Sequence, residues 1–367
     1  MRILIATIVH HPLDARIHHR QIGALLEAGV EVTYAAPWQA FNVTAPDSVA
    51  PLDLPRASGR DRLPAIRAAR RLIRNQAPSH DLVLIHDPDL LLAVTGRLSR
   101  PVVWDVHEDT AGAVGDRAWI PRTLTYAAAA MARRAEHLAE RRLHLILAED
   151  DYQERFARSH PIVPNVPFVA EHVPPPGGDR AVYVGRLSRG RGVAELLDVG
   201  DRLLREGVRL DLIGPADADV QAALEQADAA GHLRWHGFLA NDQALVLVRG
   251  AMAGLCLLHD EPNYRPSLPT KIVEYLAAGV PAVATPLPRA AALVDAAGGG
   301  MVVPFGDAAA AAEAVLALRD DAARREAMGR AGHAYVALHH NWAIEGPRFV
   351  ALLRRWAAAR PSSSENL

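Results

Sequence analysis

Short β-branched runs alternate with amphipathic stretches from the second residue onward, and this alternation constrains the chain more than any other feature. Arg2–Val9 reads as a buried strand, Ile17–Ala28 as a helix ending at Gly29, and Glu31–Ala36 as the next strand. A strand–helix–strand start implies parallel strands joined by a crossover, with helices covering the sheet. Further strands are expected at Leu82–His86, Val102–Asp105 and Leu143–Ala148, and helices at Arg62–Gln76, Pro88–Leu98 and Thr123–Arg142. Val173-Pro-Pro-Pro-Gly-Gly178 can continue neither a helix nor a central strand and reads as a linker. The alternation then resumes, with strands at Ala181–Val184, Arg209–Ile213, Leu233–His236, Gly254–Leu258, Pro281–Thr285 and Met301–Val303. Helices are expected at Val193–Arg205, Ala218–Ala230, Lys271–Ala278 and Ala308–Leu318. The expected architecture is α/β: two Rossmann-like doubly wound domains, 1–170 and 171–342, facing each other across a cleft. A helix over 343–360 is expected to cross back to the first domain, followed by a flexible tail at 361–367. In such sheets ligands bind beyond the carboxyl ends of the strands, so the residues after each strand are the candidates for function.

Composition removes several classes. The 367 residues carry 40 Lys plus Arg against 42 Asp plus Glu, a net charge of -2. Neither half is a polycation, and nucleic acid is not expected as a partner. A single cysteine, Cys256, excludes a disulfide framework and a multi-cysteine metal site, and its apolar run points to a buried thiol. Met1–Val9 lacks the basic leader and cleavage site of a signal peptide, and no apolar run is long enough to span a bilayer. A cytoplasmic protein is expected.

Of the 40 basic residues, 39 are arginine and one, Lys271, is lysine. A lysine that persists against such a bias marks a position where the two are not interchangeable, as at a tight phosphate site; chance survival on the surface is the alternative. Lys271 opens the stretch Pro269-Thr-Lys-Ile-Val-Glu274, where Pro269 fixes the approach to a helix. The N–H groups there suit a phosphate, and Glu274, three residues on from Lys271 on the same helical face, suits a ribose diol, although an i, i+3 Lys–Glu pair is also common on surfaces. The earlier loop Val184-Gly-Arg-Leu-Ser-Arg-Gly-Arg-Gly192 follows a strand and precedes a helix. Glycines at 185, 190 and 192 permit close backbone approach, and Arg186 and Arg191 can grip an anion. Neither a dinucleotide fingerprint nor a Walker loop is present.

VGRLSRGRG followed some way on by PSLPTKIVEYLAAGVPAVAT resembles the family-4 retaining glycosyltransferases of GT-B fold. HHPLDARIHHRQIGALLEAGVEVTYAAP, DLVLIHDPDLLL, VVWDVHED, IVPNVP, LDLIGPAD and LRWHGFL extend the likeness over nearly the whole chain. The resemblance implies a hexosyltransferase-type enzyme moving a sugar from a nucleotide diphosphate sugar, UDP- or GDP-linked, to a hydroxyl of a glycan, lipid-linked or small-molecule acceptor, with no metal or other cofactor. It assigns the donor to Gly185, Arg186, Arg191, Pro269, Thr270, Lys271 and Glu274, and the base to the loop His236, Gly237, Phe238 and Leu239. Arg186 and Lys271 would stabilise the leaving diphosphate, and His107 would contact the transferred sugar. The family commonly pairs two glutamates eight residues apart. Glu274 fits the second position, but the first is Pro266, leaving Asp260, Glu261 and Asn263 as substitutes.

On the acceptor side the candidates are Asp14 and Arg16, which match the family's D-x-R-I pattern, with His86, Asp87 and Glu108. Asp14 and Arg16 would equally serve to pin the first loop. Histidine and carboxylate after two strands also fit a metal-dependent hydrolase built on His86, Asp87, His107 and Asp109. A non-catalytic nucleotide-sugar-binding protein of the same fold is the other alternative. Finally, Arg56–Arg74 holds seven arginines and one aspartate. A basic amphipathic helix of this kind suits a peripheral contact with the inner face of a membrane, or simply a solvated face.

Overall fold

The computed structural model describes residues 1–96, 98–107 and 122–359. Contacts divide the chain into two units, Met1–Asn165 with the segment from Ala343 onward, and Val166–Trp342. The expected linker Val173–Gly178 lies inside the second unit, where Gly177 N–H donates to Gly250 O at 3.0 Å. The expected tail lies outside the described residues.

The first unit is a six-stranded parallel sheet of β1 (Arg2–Ala6), β2 (Glu31–Ala36), β3 (Ala50–Asp53), β4 (Leu82–Ile85), β5 (Val102–Val106) and β6 (His144–Leu147), in the order β3-β2-β1-β4-β5-β6. β1, β4 and β5 are almost wholly apolar because parallel strands are covered on both faces. β3 escaped the sequence reading because it is a short edge strand with a proline and mostly exposed side chains.

The second unit repeats the plan with β7 (Arg180–Val184), β8 (Arg209–Ile213), β9 (Arg234–Trp235), β10 (Ala253–Cys256), β11 (Ala282–Ala284) and β12 (Gly300–Val302), in the order β12-β11-β10-β7-β8-β9. Counted from its own first strand, this is the same doubly wound order. The strand order reverses between β1 and β4 in one sheet and between β7 and β10 in the other, which are the points where such sheets bind ligands.

Several helices keep their expected bounds, including α2 (Arg62–Gln76), whose Ala65, Ile66, Ala69 and Ile73 face the core. Two expectations are corrected. The helix expected over Ile17–Ala28 is a π-helix, Ala15–Ile22, followed by α1 (Gly23–Glu27). The helix expected over Pro88–Leu98 is a single turn, α3 (Leu90–Ala93), which ends before Gly96 at φ 92°. Among the described residues, no helix is long and apolar enough to cross a membrane.

Candidate functional site

Beyond β4 and β5 of the first unit, charged side chains are buried and paired with one another. Asp105 is the hub. A carboxylate inside the apolar strand Val102–Val106 must be neutralised, and Arg16 does this in bidentate fashion, Nε to Oδ2 at 2.8 Å and Nη2 to Oδ1 at 2.6 Å. Gln21 Nε2 adds a third bond to Oδ2 at 2.8 Å. Arg16 and Gln21 are five residues apart, and the π-helix, with its i to i+5 repeat, brings both to one carboxylate. Asp14 caps that helix, accepting from the N–H groups of Arg16 and Ile17. Burial raises the Asp105 carboxyl, but Arg16 outweighs it and holds the group well below its usual range. Asp105 and Gln21 were not singled out from the sequence; the charge inside an apolar strand was the available signal.

His86 is buried with Nδ1 3.2 Å from Asp105 Oδ2. His107 Nδ1 lies 3.1 Å from the Asp105 carbonyl oxygen, so that nitrogen carries the hydrogen. Burial lowers the His107 pKa to about 3, leaving Nε2 as an acceptor for His10 Nε2–H at 3.1 Å. Asp87 accepts from Thr7 Oγ1 at 3.0 Å and from the Ile8 N–H at 2.5 Å, with His10 Nε2 at 3.3 Å. Asp87 is thus a clamp on the β1 loop, and burial keeps its carboxyl above the usual value. Glu108 and Asp109 lie outside the described residues.

His86, Asp105 and His107 offer ligand atoms within 4.8 Å of one another. The cluster does not fit a metal ion: both Asp105 oxygens already hold the Arg16 guanidinium, and His107 Nδ1 carries a proton directed at a carbonyl. The fixed cation of this cluster is Arg16.

The second unit is arranged differently. Helix α4 (Thr270–Ala277) starts after Pro269, as expected, and every residue from Lys271 to Ala277 is buried. Tyr275 pins it to the sheet, its hydroxyl donating to Leu255 O at 3.0 Å and accepting from Val184 N–H at 2.9 Å. Gly254 makes room for that ring; a Cβ there would stand 2.3 Å from Tyr275 Cδ2. This fixes Lys271 at the first turn, beside the loop after β7. The Lys271 ammonium is buried, has no hydrogen-bond partner, and lies 3.8 Å from the centre of the Tyr183 ring. Burial, reinforced by the nearby Arg191 charge, lowers its pKa to about 7. Gly185 holds φ 130°, a conformation other residues rarely adopt, and a Cβ there would stand 3.2 Å from Lys271 Nζ.

Arg191 stands over Tyr264, 5.9 Å from its centroid. Glu274 is buried one turn beyond Thr270 on the same helix. Arg186 is not drawn into this group: its guanidinium is exposed, and Nε donates to Asp217 Oδ1 at 2.5 Å. In the expected base loop, His236 Nε2 lies 3.2 Å from Asp211 Oδ1, the Gly237 carbonyl accepts from Gly214 N–H at 2.7 Å, and Phe238 is exposed. Tyr183 and Cys256, which line the Lys271 pocket, were not expected there. Cys256 is buried, as read from its apolar run.

The two doubly wound units together have the GT-B fold. Residues 178–321 match the family described as glycosyl transferases group 1. Among solved structures, sucrose-phosphate synthase from Thermosynechococcus elongatus aligns with TM-score 0.74 and 18% identity, covering 98% of this chain and 99% of that one. HepE from Anabaena, in complex with UDP and glucose, gives 0.69 and 16%, covering 97% and 100%. WaaG, a glycosyltransferase involved in lipopolysaccharide biosynthesis, gives 0.68 and 16%, covering 96% and 99%. No curated protein sequence matches the chain.

Proposed function

We propose that this protein is a retaining glycosyltransferase that takes a hexosyl group from a nucleotide diphosphate sugar and delivers it to an acceptor hydroxyl. The observation that carries this reading is Lys271, a cation buried without a hydrogen-bond partner at the start of a helix. Such a charge is unfavourable until an anion arrives, and a diphosphate fits both it and the free N–H groups of Thr270 and Lys271. Solved relatives carry UDP or UDP-glucose, which favours a uridine nucleotide.

In the reaction the bond between the anomeric carbon and the diphosphate oxygen breaks, the acceptor oxygen bonds to that carbon, and the acceptor proton passes to the leaving phosphate. Lys271 and Arg191 neutralise the charge as it grows on the leaving oxygen, so no metal is needed. Arg186 joins them by exchanging Asp217 for phosphate. Glu274 binds the ribose, the His236–Leu239 loop the base, and His107 the sugar. Asp14, Arg16, His86 and Asp87 shape the acceptor side, where the acceptor is a glycan, a lipid-linked sugar or a small molecule. Arg60, Leu63, Arg67 and Arg71, all exposed on or beside α2, offer a surface to anionic lipid at the inner face of a membrane.

The test is thermal stabilisation by UDP, GDP, ADP and dTDP, each with and without chelator. A ligand at 100 times its dissociation constant stabilises by roughly 2.7 kcal/mol. A selective shift that survives chelation is expected; no shift with any nucleotide would overturn the proposal.

A further inference from the structure

The loop between β10 and α4 carries several charged side chains, and all but one have partners. His259 Nε2 lies 3.0 Å from Glu195 Oε1. Asp260 and Arg265 form a bidentate pair, at 2.7 and 2.9 Å. Glu261 has neither a hydrogen bond nor an ion pair through its carboxylate among the described residues, although it is half-buried. Its backbone is firmly held: Glu261 N–H donates to His259 O at 2.9 Å, and its carbonyl accepts from Tyr264 N–H at 3.0 Å.

The carboxylate rests on the glycine-rich loop. A Cβ at Gly190 would stand 2.3, 2.8 and 2.9 Å from Glu261 Oε1, Cδ and Oε2. With glycine at 190, this carboxyl group occupies the place where a side chain would stand. Next in sequence is Arg191, and Tyr264, which Arg191 overlies, feels the charge of Glu261 as well. A carboxylate without a partner among the described residues therefore sits beside Arg191, at the border of the pocket that holds Lys271.

For the diphosphate this carboxylate is repulsive, so it is not part of the phosphate grip. Its chemistry is to accept hydrogen bonds from O–H groups, and two parts of a nucleotide sugar adjoin the diphosphate with such groups: the ribose, given above to Glu274, and the transferred sugar. We propose that Glu261 reads the hydroxyls of the transferred sugar and so sets which sugar is accepted, with Gly190 holding open the space its carboxylate occupies. This rests on the glycosyltransferase reading above. Asp260 is excluded from the role by its bidentate pair with Arg265.

The experiment compares two affinities in the full chain by calorimetry, for free UDP and for UDP-glucose; if UDP is not the nucleotide that stabilises the protein, the pair is the one that does and its glucose conjugate. Glu261→Gln is expected to weaken the sugar nucleotide roughly ten- to a hundredfold, as a lost charge-assisted hydrogen bond does, and to leave the free nucleotide unchanged or tighter. Gly190→Ala, whose new methyl meets only the end of a flexible side chain, should shift the ratio in the same direction without touching Glu261 chemically. Equal loss of both ligands would make Glu261 a brace for the loop and overturn the proposal. Equal tightening of both would make it a placeholder for the diphosphate and overturn it too, as would no change in either. If the wild type binds neither nucleotide nor sugar nucleotide of any base, the glycosyltransferase reading has failed first, and the two failures are told apart.

Discussion

Both units lay six parallel strands in the same order and place charge beyond the carboxyl ends of those strands, yet they balance that charge in opposite ways. In the first unit Asp105 is met by Arg16, Gln21 and His86, and Asp87 by Thr7, Ile8 and His10. In the second, Lys271 has an aromatic ring beneath it and no hydrogen-bond acceptor. A buried ion with its counterion beside it is balanced in charge in the free protein, even where single atoms such as Arg16 Nη1 and Gln21 Oε1 have no hydrogen-bond partner. A buried ammonium with no hydrogen-bond acceptor is not, and on this contrast the proposed anion site rests.

The largest expected effect tests the completeness of the first cluster. Arg16→Met leaves Asp105 buried and uncompensated, which costs about 3–5 kcal/mol. Urea unfolding of the variant should show a loss of that size, while nucleotide binding in the second unit persists at temperatures where the variant is folded. A loss below about 1 kcal/mol would mean that Asp105 finds another counterion and that the contrast between the units is overdrawn.

The reverse result is expected for the second cluster. Lys271→Met removes a buried ammonium that has no hydrogen-bond partner, so the unliganded variant should melt higher than wild type. Its affinity for the preferred nucleotide diphosphate should fall roughly ten- to a hundredfold. Calorimetry and a melting curve on the same sample check both halves. A variant that melts lower and binds equally well would make Lys271 a structural residue like Arg16.

How much of this was legible in the sequence follows from the same contrast. The strands at Leu82, Val102 and Arg209 begin where their apolar runs begin, because burial on both faces leaves a continuous signal. Lys271 stood out against the arginine bias, and the helix after Pro269 follows from local chemistry. The pairing of Arg16 with Asp105 was not legible, since the partners are 89 residues apart and meet only once a π-helix replaces the expected α-helix. The orientation of Arg186 was also out of reach: the loop sequence supplies the guanidinium but not Asp217, which holds it 31 residues on. Spacing shows which residues can reach a ligand, and only the fold shows which are already engaged.

A smaller effect follows from the Lys271 pKa. Burial brings it from 10.5 to about 7, so between those values the unfolded chain binds the proton and the folded free protein does not. The stability of the free protein should therefore rise with pH across that window, and Lys271→Met should lack the rise. An anion restores the proton, so affinity should fall as pH climbs above 7, by at most about tenfold per unit. A sugar nucleotide is the right probe, because its doubly esterified diphosphate does not itself titrate near neutrality. Affinity that is flat from pH 7 to 9 would show that the ammonium stays charged in the free protein.

The smallest effect concerns Arg186, the one expected phosphate ligand that the structure ties elsewhere. Its pair with Asp217 is exposed, and such pairs are worth roughly 0–1 kcal/mol. Asp217→Asn should release the guanidinium and raise affinity for the nucleotide diphosphate by at most about fivefold, the whole of that pair energy. Arg186→Ala should then lower turnover more than it lowers binding of the sugar nucleotide, because the charge it meets grows as the diphosphate leaves. If Arg186→Ala changes neither, Arg186 belongs with the self-satisfied pairs of the first unit, and the cations without a carboxylate partner at the site of the second reduce to Lys271 and Arg191.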